Sequence, residues 1–372
     1  MNKLYTPPHS ELTFNNSSIY EQSFLGITEG ETINKKARSS GLDIIRCLAI
    51  LFVIGSHFFL NTPGLSVPFE GKSLFIQGMV QTLTLVNVPL FLLLTGYLNL
   101  NKKISKNYYK GIFSVILIYL FISSVTIIFK ELFLNQHQSP LKWILSITDF
   151  SAIAYAWYIE MWIGLFLLTP FLNILWKNLE SKKHKHILIF TLYILCAFPD
   201  FFNRYGVELV PGYWELIYPC AFYFIGAYIR DYQPQINKLF LVSFILLCCL
   251  INPVFNLLFV KDHSMIHLIG DGNGVIGMPL ATAVFLFCYK INIKSRLICL
   301  ILASISMVSL DMYLSSYMFD ITYYSWFKEN FYINQSQFGS WFLVIIPLVF
   351  FSSYIFSIIK KYLFLLLHLP TK

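Results

Sequence analysis

The chain has 372 residues, of which 56% are hydrophobic and only 12% charged, with a formal net charge of +8. About a quarter of the residues in an average soluble domain are charged. This balance therefore excludes an ordinary water-soluble globular protein and reads as a polytopic membrane protein, whose positive excess follows topology and does not imply nucleic acid.

Residues 1–40 are polar and mixed in charge, with too little apolar periodicity to bury a core, and are expected as a flexible cytoplasmic tail. They are too long and polar for the n-region of a cleaved secretory signal. Ten apolar stretches follow, near 42–60, 75–100, 109–129, 155–176, 187–202, 214–229, 239–260, 274–289, 297–319 and 340–359. Crossing about 30 Å of hydrocarbon takes about 20 residues, and only the fifth and eighth stretches are short. The expected fold is an all-α integral membrane bundle of about ten transmembrane helices over residues 41–364, with a short tail at 365–372. Alternate connections are unequal in charge. One side holds clusters such as Lys35, Lys36 and Arg38, Lys102 to Lys110, and Lys177 to Lys185, while the other holds only isolated cations such as Lys72, Lys142 and Lys328. An even number of spans and this bias place both termini in the cytoplasm. The seven cysteines fall inside or at the edges of spans, as small hydrophobes do, with no disulfide framework or metal spacing. The "GDGNG" at 270–274 reads as a turn in an outer loop.

The first span, "GLDIIRCLAILFVIGSH" from Gly41 to His57, carries two polar residues that lipid would reject. Arg46 and His57 are eleven residues apart, which at ~100° per residue is three turns plus only ~20°, so they share one helix face about 16 Å apart. An intramembrane arginine costs at least ~2.5–3.5 kcal/mol on insertion scales and normally faces a bundle interior or a wet cavity. Taken singly, Arg46 also fits a snorkelling residue at the cytoplasmic interface and His57 a hydrogen-bonded residue at the outer one. Asp43, three residues before Arg46, fits either a partner holding the guanidinium or a charge neutraliser at the helix start.

Leu42, Asp43, Arg46 and His57 resemble the opening of the membrane acyltransferase family 3, bacterial multispan enzymes that O-acylate surface glycans. "VPLFLLLTGYLNL" at 88–100 is similar to the family's Val-Pro-x-Phe segment, with Thr95 at the usual serine. "AWYIEMWIGLFLLTPFL" at 156–172 looks like its Trp-Tyr/Phe helix. "LDMYLSSYMFD" at 310–320 resembles its penultimate-helix motif, with Ser316 where many members have histidine. The resemblance spans roughly residues 40–360 and implies an inner-membrane acyltransferase. Its donor would be acetyl-CoA, used from the cytoplasm as a substrate with no permanently bound cofactor or metal. Its acceptor would be a hydroxyl on a surface polysaccharide or its lipid-linked precursor. The partners this implies are the carbohydrate acceptor and membrane lipid, with a homodimer or polysaccharide-assembly proteins both open.

On this reading Arg46, assisted by Asp43, meets the phosphates of the donor, since guanidinium binds phosphate through paired hydrogen bonds, and His57 meets the thioester. An alcohol is a poor nucleophile while protonated, and imidazole titrates near neutral pH. His57 fits both a base that deprotonates the acceptor and a carrier that first accepts the acyl group. Glu160, near the outer end of the fourth span, and Asp311, placed in the outer half of the ninth, are the other catalytic candidates. Lys103 and Lys106 stand at the spacing of the family's Arg-x-x-Arg pattern tied to donor binding, with Lys110 a turn later, although the positive-inside rule alone explains these lysines. Trp157, Tyr158 and Tyr313 are candidate sugar contacts, against the plainer reading of an interfacial aromatic belt. No fused extracytoplasmic domain is expected after the last span. A transporter or flippase for a glycan or lipid intermediate, and a non-catalytic scaffold, are the competing classes. Paired repeats with broken helices, usual in transporters, are not apparent.

Overall fold

A backbone in hydrocarbon has no water to bond, so its N–H and C=O groups must be satisfied within the segment, which selects helices for these apolar stretches. A computed structural model describes residues 38–203, 208–259 and 272–370. Most of the expected tail at 1–40 lies outside the described residues, as do His263 and His267, which the sequence places in a solvated outer loop. The helices are α1 (Ser40–Leu60), α2 (Gly71–Thr84), α3 (Asn87–Asn99), α4 (Lys106–Lys110), α5 (Ile112–Leu134), α6 (Pro140–Thr148), α7 (Trp157–Asn178) and α8 (Lys182–Phe202). After a 3-10 turn at Gly212–Ile217 come α9 (Tyr218–Tyr232), α10 (Lys238–Phe259), α11 (Gly277–Cys288), α12 (Arg296–Met307), α13 (Ser309–Phe331), α14 (Gln335–Phe338) and α15 (Phe342–Leu366). The described residues contain no β-strand. The protein is an all-α, multi-pass membrane bundle.

Each of the ten expected stretches contains a helix, but they are not ten equal spans. Among the described residues, seven helices are long and apolar enough to cross a membrane, Ser40–Leu60, Gly71–Asn99, Lys106–Leu134, Trp157–Asn178, Lys182–Phe202, Lys238–Phe259 and Gln335–Leu366. The pair α12 and α13, bent by 67°, would be an eighth. The remaining two, α9 and α11, run for only 15 and 12 residues. The fifth stretch, expected to be short, starts earlier at Lys182 and is 21 residues long. The last helix ends at Leu366, two residues into the expected tail. Of the "GDGNG" stretch, Gly272 to Gly274 are described and lie in a turn, as expected.

Helix α1 is central. Ile45, Ala49, Ile50, Ile54 and Phe58 are fully buried, and it packs against α2, α3, α11, α12, α13 and α15. A close helix crossing joins α3 to α9. A Cβ on Gly96 would collide with the Tyr223 carbonyl oxygen, and one on Gly226 with that of Leu93, so each glycine admits the other helix's backbone. The basic connections are stitched together at the Arg46 end. Ser40 Oγ donates to Ile291 O at 3.0 Å, Lys290 Nζ to Gln233 O at 2.9 Å, and Asn173 Nδ2 to both Asn99 O and Lys102 O at 2.8 Å. All seven cysteines are free thiols, none of them exposed.

The bend at Val308 separates the expected ninth span into two helices with different tasks. α12 brings Ser306 to Arg46, and α13 then carries the chain past His57. Asp311 sits in the first turn of α13, where its charge complements the helix dipole. Its Oδ1 accepts a 2.7 Å bond from Lys360 Nζ on α15, with both residues buried. Removing one partner of such a pair strands the other charge, at about 3–5 kcal/mol. Lys360→Met is therefore expected to lower the thermal midpoint of the detergent-purified protein sharply, and adding Asp311→Leu to it should restore most of the loss.

Candidate active site

The shared face expected of Arg46 and His57 is present, and both side chains turn into the bundle against the α12–α13 pair. Arg46 Nη1 donates to Ser306 Oγ at 3.2 Å, near the end of α12. About three helical turns further along α1, His57 Nδ1 lies 3.0 Å from Asp320 Oδ2 on α13. The Arg46 side chain is 14% exposed and His57 as a whole 5%, so neither is a lipid-facing or snorkelling residue.

At the Arg46 end, Asp43 is shared. Arg38 grips it with two bonds, Nε to Oδ2 at 2.6 Å and Nη2 to Oδ1 at 2.9 Å, while Arg46 Nη1 stands 3.5 Å from Oδ1. The fork of Arg38 matches the carboxylate bidentately, so Asp43 is held mainly by Arg38 and makes a longer second contact to Arg46. Arg38 and Ser306 are members of this cluster that spacing along α1 does not single out.

At the His57 end, three side chains from three segments converge. Asp320 is fully buried. Its Oδ2 accepts a 2.9 Å bond from the Tyr155 hydroxyl in addition to the His57 contact. The Tyr155 ring lies flat on the imidazole, with centroids 3.6 Å apart and planes 23° from parallel. Asn61 Nδ2 donates to the Tyr155 hydroxyl oxygen at 3.3 Å and to the His57 carbonyl at 2.9 Å. Burial, and next the Asp320 carboxylate, push the Tyr155 phenol far above its ordinary value, so it remains a donor. With Asp320 ionised, the Nδ1 proton points to the carboxylate and the lone pair of the imidazole is on Nε2. A carboxylate, an oriented imidazole and a free Nε2 form the arrangement that activates a hydroxyl for acyl transfer.

The chain belongs to the acyltransferase 3 family. The family model, an acyltransferase domain, matches residues 39–359. No curated protein and no solved structure matches the chain. The matched range contains every residue of both polar clusters except Arg38, which stands one position before it.

The other candidates of this acyltransferase fall elsewhere. Asp311, expected in the outer half of a span, is at the start of α13 instead, bonded to Lys360. Nine residues at ~100° make two and a half turns, so Asp311 and Asp320 project from opposite faces of α13, one toward α15 and the other toward α1. Glu160 is exposed on the first turn of α7, and the carboxylate beside His57 is that of Asp320. Trp157 is 46% exposed. Tyr158 and Tyr313 are buried against each other at 5.2 Å, and the Tyr313 hydroxyl donates to the Tyr155 carbonyl at 2.9 Å. Tyr313 is thus joined to the site through the backbone of Tyr155. Lys103, Lys106 and Lys110 are exposed on α4 and the turn before it. Ser316, at the position of the family's histidine, is buried and bonded to the Tyr313 carbonyl at 2.9 Å.

The signal for Asp320 was available as an acid within the quoted 310–320 motif. It was hidden by an expected helix end near 319, whereas α13 continues to Phe331.

Proposed function

We propose that this acyltransferase is an inner-membrane O-acetyltransferase that moves an acetyl group from cytoplasmic acetyl-CoA to a hydroxyl of a surface polysaccharide or its lipid-linked precursor. The observation that carries the reading is the His57–Asp320 contact, eleven residues along one helix face from Arg46. That separation, about 16 Å at ~1.5 Å per residue, is comparable to the reach of the coenzyme's pantetheine arm. Arg46 takes the phosphate end from the cytoplasmic side, where the lysines and arginines gather.

His57 Nε2 accepts the proton of the acceptor hydroxyl as its oxygen bonds to the thioester carbon. The carbon–sulfur bond then breaks, and the thiolate leaves with the proton from Nε2. Asp320 stabilises the imidazolium between these events, and it would do the same for an acyl-histidine route. Lys103, Lys106 and Lys110 add positive potential along the donor's approach.

The test is a mass-spectrometric acyl count on surface glycan from wild-type and deletion cells. Loss of one acetyl per repeat unit with unchanged polymer amount supports the enzyme. A transporter or a scaffold predicts an unchanged acyl count, a transporter with less polymer. Within the enzyme reading, Arg46→Ala should raise the KM for acetyl-CoA by about 10-fold or more, as loss of a charge-assisted bond implies, and change the acceptor KM little. The measurement is thiol release in proteoliposomes, and equal KM values for wild type and variant would remove Arg46 from donor binding.

A further inference from the structure

Tyr155 reaches the site from outside the spans. It lies in the connection between α6 and α7, residues 149–156, and that connection is pinned into the bundle at several points. Lys130 Nζ donates to the Ala152 carbonyl at 2.8 Å, and the Tyr313 hydroxyl to that of Tyr155 at 2.9 Å. Phe150, in the left-handed region at φ +61°, stacks on Tyr119 with centroids 4.6 Å apart. Ile153 and Ala156 are fully buried. Surface connections are normally neither so buried nor so heavily bonded to neighbouring helices.

We infer that Tyr155 is a positioning residue that sets the orientation and reactivity of His57 through Asp320, an inference that rests on the acyl-transfer reading above. Its hydroxyl accepts from Asn61, which leaves its own proton directed at Asp320 Oδ2. A chain of bonds running Asn61, Tyr155, Asp320 is mutually reinforcing. The two donors on one carboxylate oxygen, Tyr155 and His57, hold that oxygen in place. The ring covers one face of the imidazole, so rotation about the Cβ–Cγ bond of His57 is blocked and Nε2 is presented at a single edge. The hydroxyl and the ring therefore make separable contributions. The hydroxyl acts on the carboxylate, and the ring acts on the imidazole plane.

The experiment compares Tyr155→Phe, Tyr155→Leu and Asn61→Asp with wild type and His57→Ala in proteoliposomes, using acetyl-CoA and glycan extracted from deletion cells. Tyr155→Phe keeps the stacked ring and loses the bond to Asp320. Its kcat is expected to fall about 10-fold, the value of one hydrogen bond to a charged group, with both KM values within twofold of wild type. Tyr155→Leu also loses the ring, and kcat should fall about 100-fold. In Asn61→Asp a new carboxylate competes with Asp320 for the phenolic proton, and kcat should fall at least as far as in Tyr155→Phe without loss of folded protein. A Tyr155→Phe enzyme with wild-type kcat overturns the inference while an inactive His57→Ala leaves the acyl-transfer reading standing. Equal losses in the Phe and Leu variants that track a fall in thermal midpoint also overturn it, since they show a purely structural contact. An active His57→Ala enzyme overturns the reading and the inference together.

Discussion

Replacing His57 by alanine is expected to lower acyl transfer by about 10²- to 10⁴-fold, the span attributed to a positioned general base, while the protein still inserts and folds. The imidazole is the group whose Nε2 is left for chemistry once Nδ1 has engaged Asp320 at 3.0 Å. The substitution opens a small gap beside the Tyr155 ring without stranding a charge as severe as that of a broken lysine–aspartate pair. Asp320 retains the Tyr155 hydroxyl as a donor. The acyl count on glycan from cells expressing the variant should match that of deletion cells, with equal amounts of the protein in membranes by immunoblot. A normal acyl count would eliminate His57 both as base and as acyl carrier.

Asp320→Asn is expected to lower kcat nearly as much, by about 10²- to 10⁴-fold, with KM values for donor and acceptor close to wild type. The amide is isosteric, so the buried packing of Asp320 is kept. Its effect follows in either orientation. With its oxygen toward His57 and Tyr155, both hydrogen bonds survive, but the charge that stabilises the imidazolium is gone. With its nitrogen toward His57, Nδ1 must accept, the proton moves to Nε2, and no lone pair faces the acceptor. A variant with near-normal kcat would show that the 3.0 Å contact is only a packing feature. Asp311→Asn offers an informative contrast, because its carboxylate bonds Lys360 on the opposite face of α13. It should affect stability more than kcat.

These two expectations rest on residues that were unequally visible in the sequence. Arg46 and His57 lie on one continuous helix, where a fixed rotation per residue converts spacing into a shared face. Their relation needs no knowledge of the rest of the fold. Asp320 is 263 residues from His57 along the chain, and no local period links positions so distant. Composition also obscured it. The stretch from Phe319 to Phe331 mixes the charges of Asp320, Lys328 and Glu329 with Thr322, Ser325 and Asn330 among its aromatics, and it resembles an outer loop. It remains helical because it buries side chains of its own, Tyr324 and Phe327, in the bundle core. Glu160 illustrates the converse. A carboxylate among aromatics looks buried in sequence, yet it lies on the exposed side of the first turn of α7.

What the amino-acid sequence determined by itself was the medium, the helical class, the approximate spans and the polar face of α1, because hydrophobic length and helical period are local quantities. The family followed from four short motifs in order, and the match over residues 39–359 agrees with it. What only the tertiary structure decided was which side chains meet. It bent the ninth stretch by 67° at Val308, gave Asp43 to Arg38, Asp311 to Lys360 and Asp320 to His57, and delivered Tyr155 from a connecting segment onto the imidazole. Each buried charge needed a partner in a medium that provides no water, and several carboxylates could have served. The choice among them was made by helix rotation and depth within the packed bundle, which are properties of the whole assembly of helices.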